Sequence, residues 1–133
     1  MSQRQNISSG TRYEAEVGYS RAVRIGRNVW VAGTTAIDEN MTIIGKNDAY
    51  LQAKFILEKI GRALTDAGAT FHDVVRTRMF VTDINLQARV GAAHAEVFSA
   101  IRPVATMVEI TRLVDPKLLV EIEVDAYIAS GSD

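Results

Sequence analysis

The run Leu118-Leu119-Val120-Glu121-Ile122-Glu123-Val124-Asp125-Ala126-Tyr127 constrains the fold more than any other part of the chain. Successive side chains of an extended strand face opposite sides of a sheet, so Val120, Ile122 and Val124 share one face while Glu121, Glu123, Asp125 and Tyr127 share the other. A strand of this kind needs a packed core on one side. The other side holds three carboxylates and a tyrosine, either as solvated charge or, as the apolar opposite face suggests, at a wet interface or ligand cleft. A second alternating run, Arg102-Pro103-Val104-Ala105-Thr106-Met107-Val108-Glu109-Ile110, lies just before it.

Upstream, Tyr19 to Ile25 and Asn28 to Ala32 are two β-prone runs separated by Gly26-Arg27, the signature of a hairpin in which glycine takes a positive φ. Residues 1 to about 17 are polar and unpatterned, and are expected to form an arm or a short edge strand. From 34 to 46 the turn signals Asp38-Glu39-Asn40 and Gly45 predict a loop leading to a helix. That helix is capped by Asn47 or Asp48, repeats Ala49, Ala53, Ile56, Leu57, Ile60, Ala63, Leu64 and Ala67 at helical spacing, and stops at Gly68. Val74 to Val81 reads as a strand with Val75, Thr77, Met79 and Val81 on one face and Arg76, Arg78 and Phe80 on the other. A second helix, from about Leu86 to Ala100 with Asn85 as its cap, buries Val90, Ala93, Val97 and Ile101 and ends at Arg102-Pro103.

The order is β-β-α-β-α-β-β: an α+β sheet in a single domain spanning residues 1–133, with two helices covering one face. The other face carries Arg76, Arg78, Phe80, Glu109, Glu121, Glu123 and Tyr127, a mixture that a homo-oligomer would bury with paired ions and water. No linker or internal repeat divides the chain.

Composition removes several classes of function. With no cysteine there is no thiol catalysis, disulfide or cysteine-bound zinc. The two histidines, His72 and His94, lack metal-ligand spacing, so neither metal nor other cofactor is expected. A net charge of -1 and 7% aromatic residues give no electrostatic or stacking basis for nucleic-acid binding. Met1 to Asn6 lacks the apolar core of a signal peptide, and no run approaches a membrane span, so a cytoplasmic location is expected.

Taken in order, Gly18-Tyr19-Ser20-Arg21-Ala22, Val31-Ala32-Gly33, Ala67-Gly68-Ala69, Asp73-Val74-Val75-Arg76-Thr77, Phe80-Val81-Thr82-Asp83, Arg102-Pro103, Val108-Glu109-Ile110 and Val120-Glu121-Ile122-Glu123 resemble the RidA (YjgF) family, whose members were often named endoribonuclease L-PSP. The resemblance spans nearly the whole chain. It implies a chorismate-mutase-like fold, a homotrimer with clefts between neighbouring subunits, and, for active members, hydrolysis of enamine or imine intermediates such as 2-aminoacrylate to 2-keto acids and ammonia. In the active branch an arginine two residues after the proline clamps the substrate carboxylate. Here that position is Ala105, which has no guanidinium fork to offer. Met107 stands where many members have cysteine, and Gly91 where they have a cleft asparagine. The family tyrosine is kept as Tyr19, and the water-positioning glutamate as Glu121.

Each candidate residue has a chemical and a structural reading. Glu121 is either the proton acceptor beside an attacking water or an ion-pair partner of Arg76 or Arg78. Tyr19 hydrogen-bonds a ligand or seals a subunit contact. His94 approaches the cleft or is a satisfied structural histidine. Arg21, two residues past Tyr19 and on a strand facing the same side, either replaces the missing clamp or is a surface arginine. Gly33 either admits a ligand to backbone N–H groups or ends a strand. Ala105 and Met107 would give the cleft an apolar wall, favouring a less anionic or larger ligand. Arg102 offsets the dipole of a helix C-terminus. The functions left open are an imine deaminase-like hydrolase with a different clamp and a non-catalytic, ligand-binding or regulatory trimer, with an endoribonuclease ranked behind both.

Overall fold

The computed structural model describes residues 3–129, which form β1 (Arg4–Ile7), α1 (Arg12–Val17), β2 (Ala22–Ile25), β3 (Asn28–Thr34), α2 (Ala49–Asp66), β4 (Val74–Val81), α3 (Gln87–Phe98), β5 (Val104–Glu109) and β6 (Val120–Tyr127). Met1 and Ser2 of the expected arm lie outside the described residues. The strands make one six-stranded sheet in the order β1-β2-β3-β6-β4-β5. Only β4 and β5 run parallel, joined across α3; every other neighbouring pair is antiparallel.

The alternation in β6 is realised as expected. Val120, Ile122, Val124 and Ala126 are buried, while Glu121, Glu123 and Asp125 are half-buried and Tyr127 is exposed on the opposite face. Val29 and Val31 of β3 and Met79 and Val81 of β4 extend the inner face, against which α2 sets Ala53, Ile56, Leu57, Ile60 and Leu64 and α3 sets Val90, Ala93 and Phe98. Ile56 and Ile122 are fully buried, so truncating either to alanine removes transfer energy and leaves a cavity, together about 2–5 kcal/mol.

Local signals set the ends of α2. Asp48 is its cap and accepts the Leu51 N–H at 3.0 Å, whereas Asn47 precedes it with φ 60°. At the other end Gly68 adopts φ 85°, Ala69 N–H returns to the Leu64 carbonyl at 2.8 Å, and Arg24 from β2 donates to the Ala67 carbonyl at 2.7 Å. A guanidinium there satisfies a carbonyl left free at the helix end and opposes the negative pole of the helix.

Four sequence expectations are corrected. The arm contains an edge strand and also a helix, α1, whose one buried residue is the polar Glu14. The first hairpin strand begins at Ala22 rather than Tyr19. Val75 is 49% exposed and Val74 buried in its place, because the β4–β6 register shifts between Val74 and Arg76. α3 starts at Gln87 after a 3₁₀ turn at Ile84–Leu86, and the side chain that caps that turn is Asp83, accepting from Asn85 N–H at 2.9 Å.

Candidate functional site

Four of the seven candidate residues converge at one end of the β2-β3-β6 layer. Gly33 lies where the β3–β6 register shifts between Val31 and Thr34, and this irregularity brings its Cα against Glu121 at the start of β6. A Cβ built on Gly33 would overlap the Glu121 Oε2 and stand 2.9 Å from its carboxyl carbon. Any larger residue would therefore displace the carboxylate. Arg21 closes the group: its Nη2 donates to the Gly33 carbonyl at 2.6 Å and its Cζ lies 5.8 Å from the Tyr19 ring centroid.

Arg21 is thus no surface arginine. Its Nε is buried and has no hydrogen-bond partner among the described residues. Burial lowers its pKa, opposed by the negative charge of Glu14 and Glu121 and by Tyr19. It does share a side with Tyr19, but not as strand neighbours, since both residues precede β2.

Glu121 does not make the ion pair considered for it. Arg76 pairs with Asp125 at 3.8 Å, and Arg78 with Glu123 and Asp125 at 3.4 Å each. Among the described residues the Glu121 carboxylate accepts no hydrogen bond. Burial raises its pKa, the neighbouring charge of Glu123 raises it further, and Arg21 pulls the other way. A carboxylate so placed is more basic than a solvated one and has free lone pairs.

His94, Ala105 and Met107 lie elsewhere. The parallel register sets Ala105 beside Thr77 and Met107 beside Met79, on the face that the helices cover. His94 Nε2 sits 2.9 Å from Thr77 Oγ1, and its ring is tilted 41° over Phe98 at 4.7 Å. Desolvation lowers its pKa, which favours the neutral imidazole. The hydroxyl and the aromatic contact satisfy it as a structural residue. On the opposite face, Glu121 neighbours Phe80 across the β6–β4 pair and Val108 beyond it. Within one chain the two groups do not meet, so Ala105 and Met107 form no wall beside Glu121.

Arg102 takes the helix-end role expected of it, with Nε donating to the Ser99 carbonyl at 3.1 Å and φ 56° turning the chain into β5. Among the described residues, no group of three or more metal-ligating side chains stands together. Sequence reasoning overlooked Lys59. Its spacing from Ile56 and Ala63 places it on the apolar stripe of α2, a signal that was present.

The endoribonuclease L-PSP family model matches residues 9–128. The crystal structure of Rv2704 from Mycobacterium tuberculosis, described as a member of the highly conserved YjgF/YER057c/UK114 family, is 52% identical; the match covers 95% of this chain and 100% of that one, with a TM-score of 0.86. Uncharacterized protein SCO2049 of Streptomyces coelicolor is 36% identical over 123 residues, 92% of this chain and 91% of that protein. RutC family protein PYRAB12510 of Pyrococcus abyssi is 36% identical over 110 residues, 82% of this chain and 85% of its own length.

Proposed function

The chain belongs to the endoribonuclease L-PSP (YjgF) family, and on that premise we propose that it is a cytoplasmic homotrimer whose inter-subunit clefts take a small metabolite, with Glu121 as proton acceptor. The observation that carries this reading is the Glu121 carboxylate. It is half-buried, packed on a glycine, raised in pKa and free of hydrogen-bond donors among the described residues. A structural carboxylate is normally paired, as Glu123 and Asp125 are.

Hydrolysis of a C=N bond suits such a group. Water attacks the imine carbon while Glu121 takes its proton, the nitrogen gains a proton, and the resulting carbinolamine releases ammonia and leaves a carbonyl. In this reading Tyr19, whose ring lies beside Arg21, orients the ligand through its hydroxyl. No cofactor is required for this sequence of steps.

The composition of the open sheet face supports the trimer. That face exposes Trp30, Val104 and Tyr127 beside the Arg76 and Arg78 ion pairs, an apolar and charged mixture suited to a subunit contact. A neighbouring subunit would then bring its Ala105, exposed on the edge strand β5, towards Glu121 of the first. No helix among the described residues is long and apolar enough to cross a membrane.

Ala105 sets the substrate range. A lost bidentate contact to a carboxylate removes two hydrogen bonds of about 1.5–3 kcal/mol each, or roughly two to four orders of magnitude in rate. Turnover of 2-aminoacrylate-type imines is accordingly weak, and the cleft suits a less anionic ligand. The same substitution favours a second reading, a trimer that binds its ligand without transforming it. An endoribonuclease activity ranks behind both, because a net charge of -1 and 7% aromatic residues give no general basis for binding nucleic acid.

The test is ammonia and keto-acid release from an enzymatically generated imine, comparing wild type with Glu121→Gln, alongside light scattering. Slow turnover abolished by the substitution, from a trimer, supports the hydrolase. Turnover that ignores Glu121, or a stable monomer, overturns it.

A further inference from the structure

Beside the Glu121 group, and sharing Arg21 with it, a cavity of about 500 Å³ opens between α2, the segment after β1 and the loop following β3. Its walls include the apolar Ile7, Ile37 and Phe55 and the cations Arg21, Lys59 and Arg62. The volume falls in the range of small-molecule sites. Lys59 is half-buried there, and its Nζ donates to the Thr35 carbonyl at 3.0 Å and the Ile37 carbonyl at 2.7 Å.

Those two bonds leave one ammonium position without an acceptor among the described residues. Removing that proton sacrifices neither bond, because a neutral amine still has two N–H donors, and it leaves the lone pair at the third position. We propose that Lys59 is a reactive amine that condenses with a small carbonyl compound bearing an anionic group, of the 2-oxo acid class, held in this cavity.

The surroundings support both halves of that statement. Burial, together with the positive charges of Arg21 and Arg62, lowers the Lys59 pKa to about 8, with Asp38 acting in the opposite direction. About a tenth of such a lysine is free amine at pH 7, against only ~4 in 10,000 for an ordinary one. The same two guanidinium groups suit a carboxylate, and the buried Nε of Arg21 lacks a partner. Three acids, Asp38, Glu39 and Asp66, also line the cavity. Asp38 is engaged by its own loop, accepting from Asn40 N–H and Thr42 N–H at 2.9 Å each.

In the reaction Nζ attacks the carbonyl carbon, the oxygen is protonated to give a carbinolamine, and water leaves to form the protonated imine. Hydride from added cyanoborohydride reduces that imine to a stable secondary amine. The reaction needs no Glu121 chemistry, so its failure would leave the hydrolase reading untouched.

The full chain is incubated with pyruvate and cyanoborohydride at pH 7, in parallel with 2-butanone as a neutral ketone, and adducts are mapped by peptide mass spectrometry. Pyruvate should label Lys59 at least about tenfold faster than the exposed Lys46, Lys54 and Lys117. Lys59→Arg, which keeps a donor for the two carbonyls, should abolish the fast adduct and leave the other three unchanged. Labelling of Lys59 no faster than of the exposed lysines overturns the proposal. Equal labelling by the neutral ketone overturns the anionic-ligand part of it.

Discussion

Gly33 and Glu121 occupy each other's space: the carboxylate of one fills the position where a side chain on the other would begin. The backbone of Gly33 lies outside the left-handed region, and the three atoms nearest to an alanine Cβ there all belong to the Glu121 side chain. Gly33→Ala should therefore move the carboxylate out of its half-buried position without unfolding the protein. The expected result is a Glu121 pKa shifted down towards the ordinary carboxylate value in a side-chain NMR titration, with the melting temperature little changed. An unaltered titration would show that this contact does not place the carboxylate.

Stability should report the same carboxylate through pH. The folded pKa of Glu121 is raised, so its contribution is complete below the unfolded value of about 4.3 and is lost as pH rises through the folded value. Glutamine does not titrate. The melting temperature of Glu121→Gln relative to wild type should therefore increase from pH 4 to pH 7. A difference that stays constant over this range would contradict the raised pKa.

The alternation of β6 and the stripe of α2 made the core legible, because period 2 and period 3.6 leave few ways to hide apolar side chains. Other elements carried no such pattern. α1 has six residues and buries only Glu14, whose carboxylate is held below the ordinary range; burial works against this, but hydrogen bonds from Ser9, Ser8 and Thr11 prevail. A polar residue satisfied by serines leaves no apolar stripe to read. Counting in twos from Val81 sets Val75 inward, and one shifted residue pair reverses it. At the site, Glu121 and Tyr19 were legible through the family resemblance. The burial of Arg21 was not, since it depends on the Gly33 carbonyl, twelve residues away.

Gln52 shows how a buried polar residue supports β6 from a distance. Fully buried on α2, it donates to the Gly45 carbonyl at 3.1 Å and the Lys117 carbonyl at 2.9 Å and accepts the Leu119 N–H at 2.8 Å. Gln52→Leu keeps much of the volume and strands two backbone groups, the Lys117 carbonyl and the Leu119 N–H, while the Gly45 carbonyl still accepts the Asp48 N–H at 3.0 Å. The expected loss is about 2–4 kcal/mol by urea denaturation, given ~1–3 kcal/mol for each buried group left unpaired and partial relief by water. Hydrogen exchange at the Leu119 amide should accelerate with it. A loss under about 0.5 kcal/mol, the usual surface range, would mean the two groups find other partners.

Ala105→Arg tests both the missing clamp and the subunit arrangement. Position 105 is exposed on the edge strand β5, so the fold should accept arginine with a stability change within about 0.5 kcal/mol. Glu121 lies on the other face of the sheet, two strands away, so an arginine at 105 cannot serve the carboxylate of its own chain. If the cleft joins two subunits, a chain carrying Ala105→Arg together with Glu121→Gln lacks the base, and the wild-type chain lacks the clamp. Mixed trimers of the two would contain clefts holding Arg from the first chain and Glu121 from the second. Imine hydrolysis by the refolded mixture should then exceed that of either parent by about tenfold or more, as expected from restoring even one charge-assisted hydrogen bond. Additive activity in the mixture, with trimers demonstrably exchanged, would place residues 105 and 121 in separate sites.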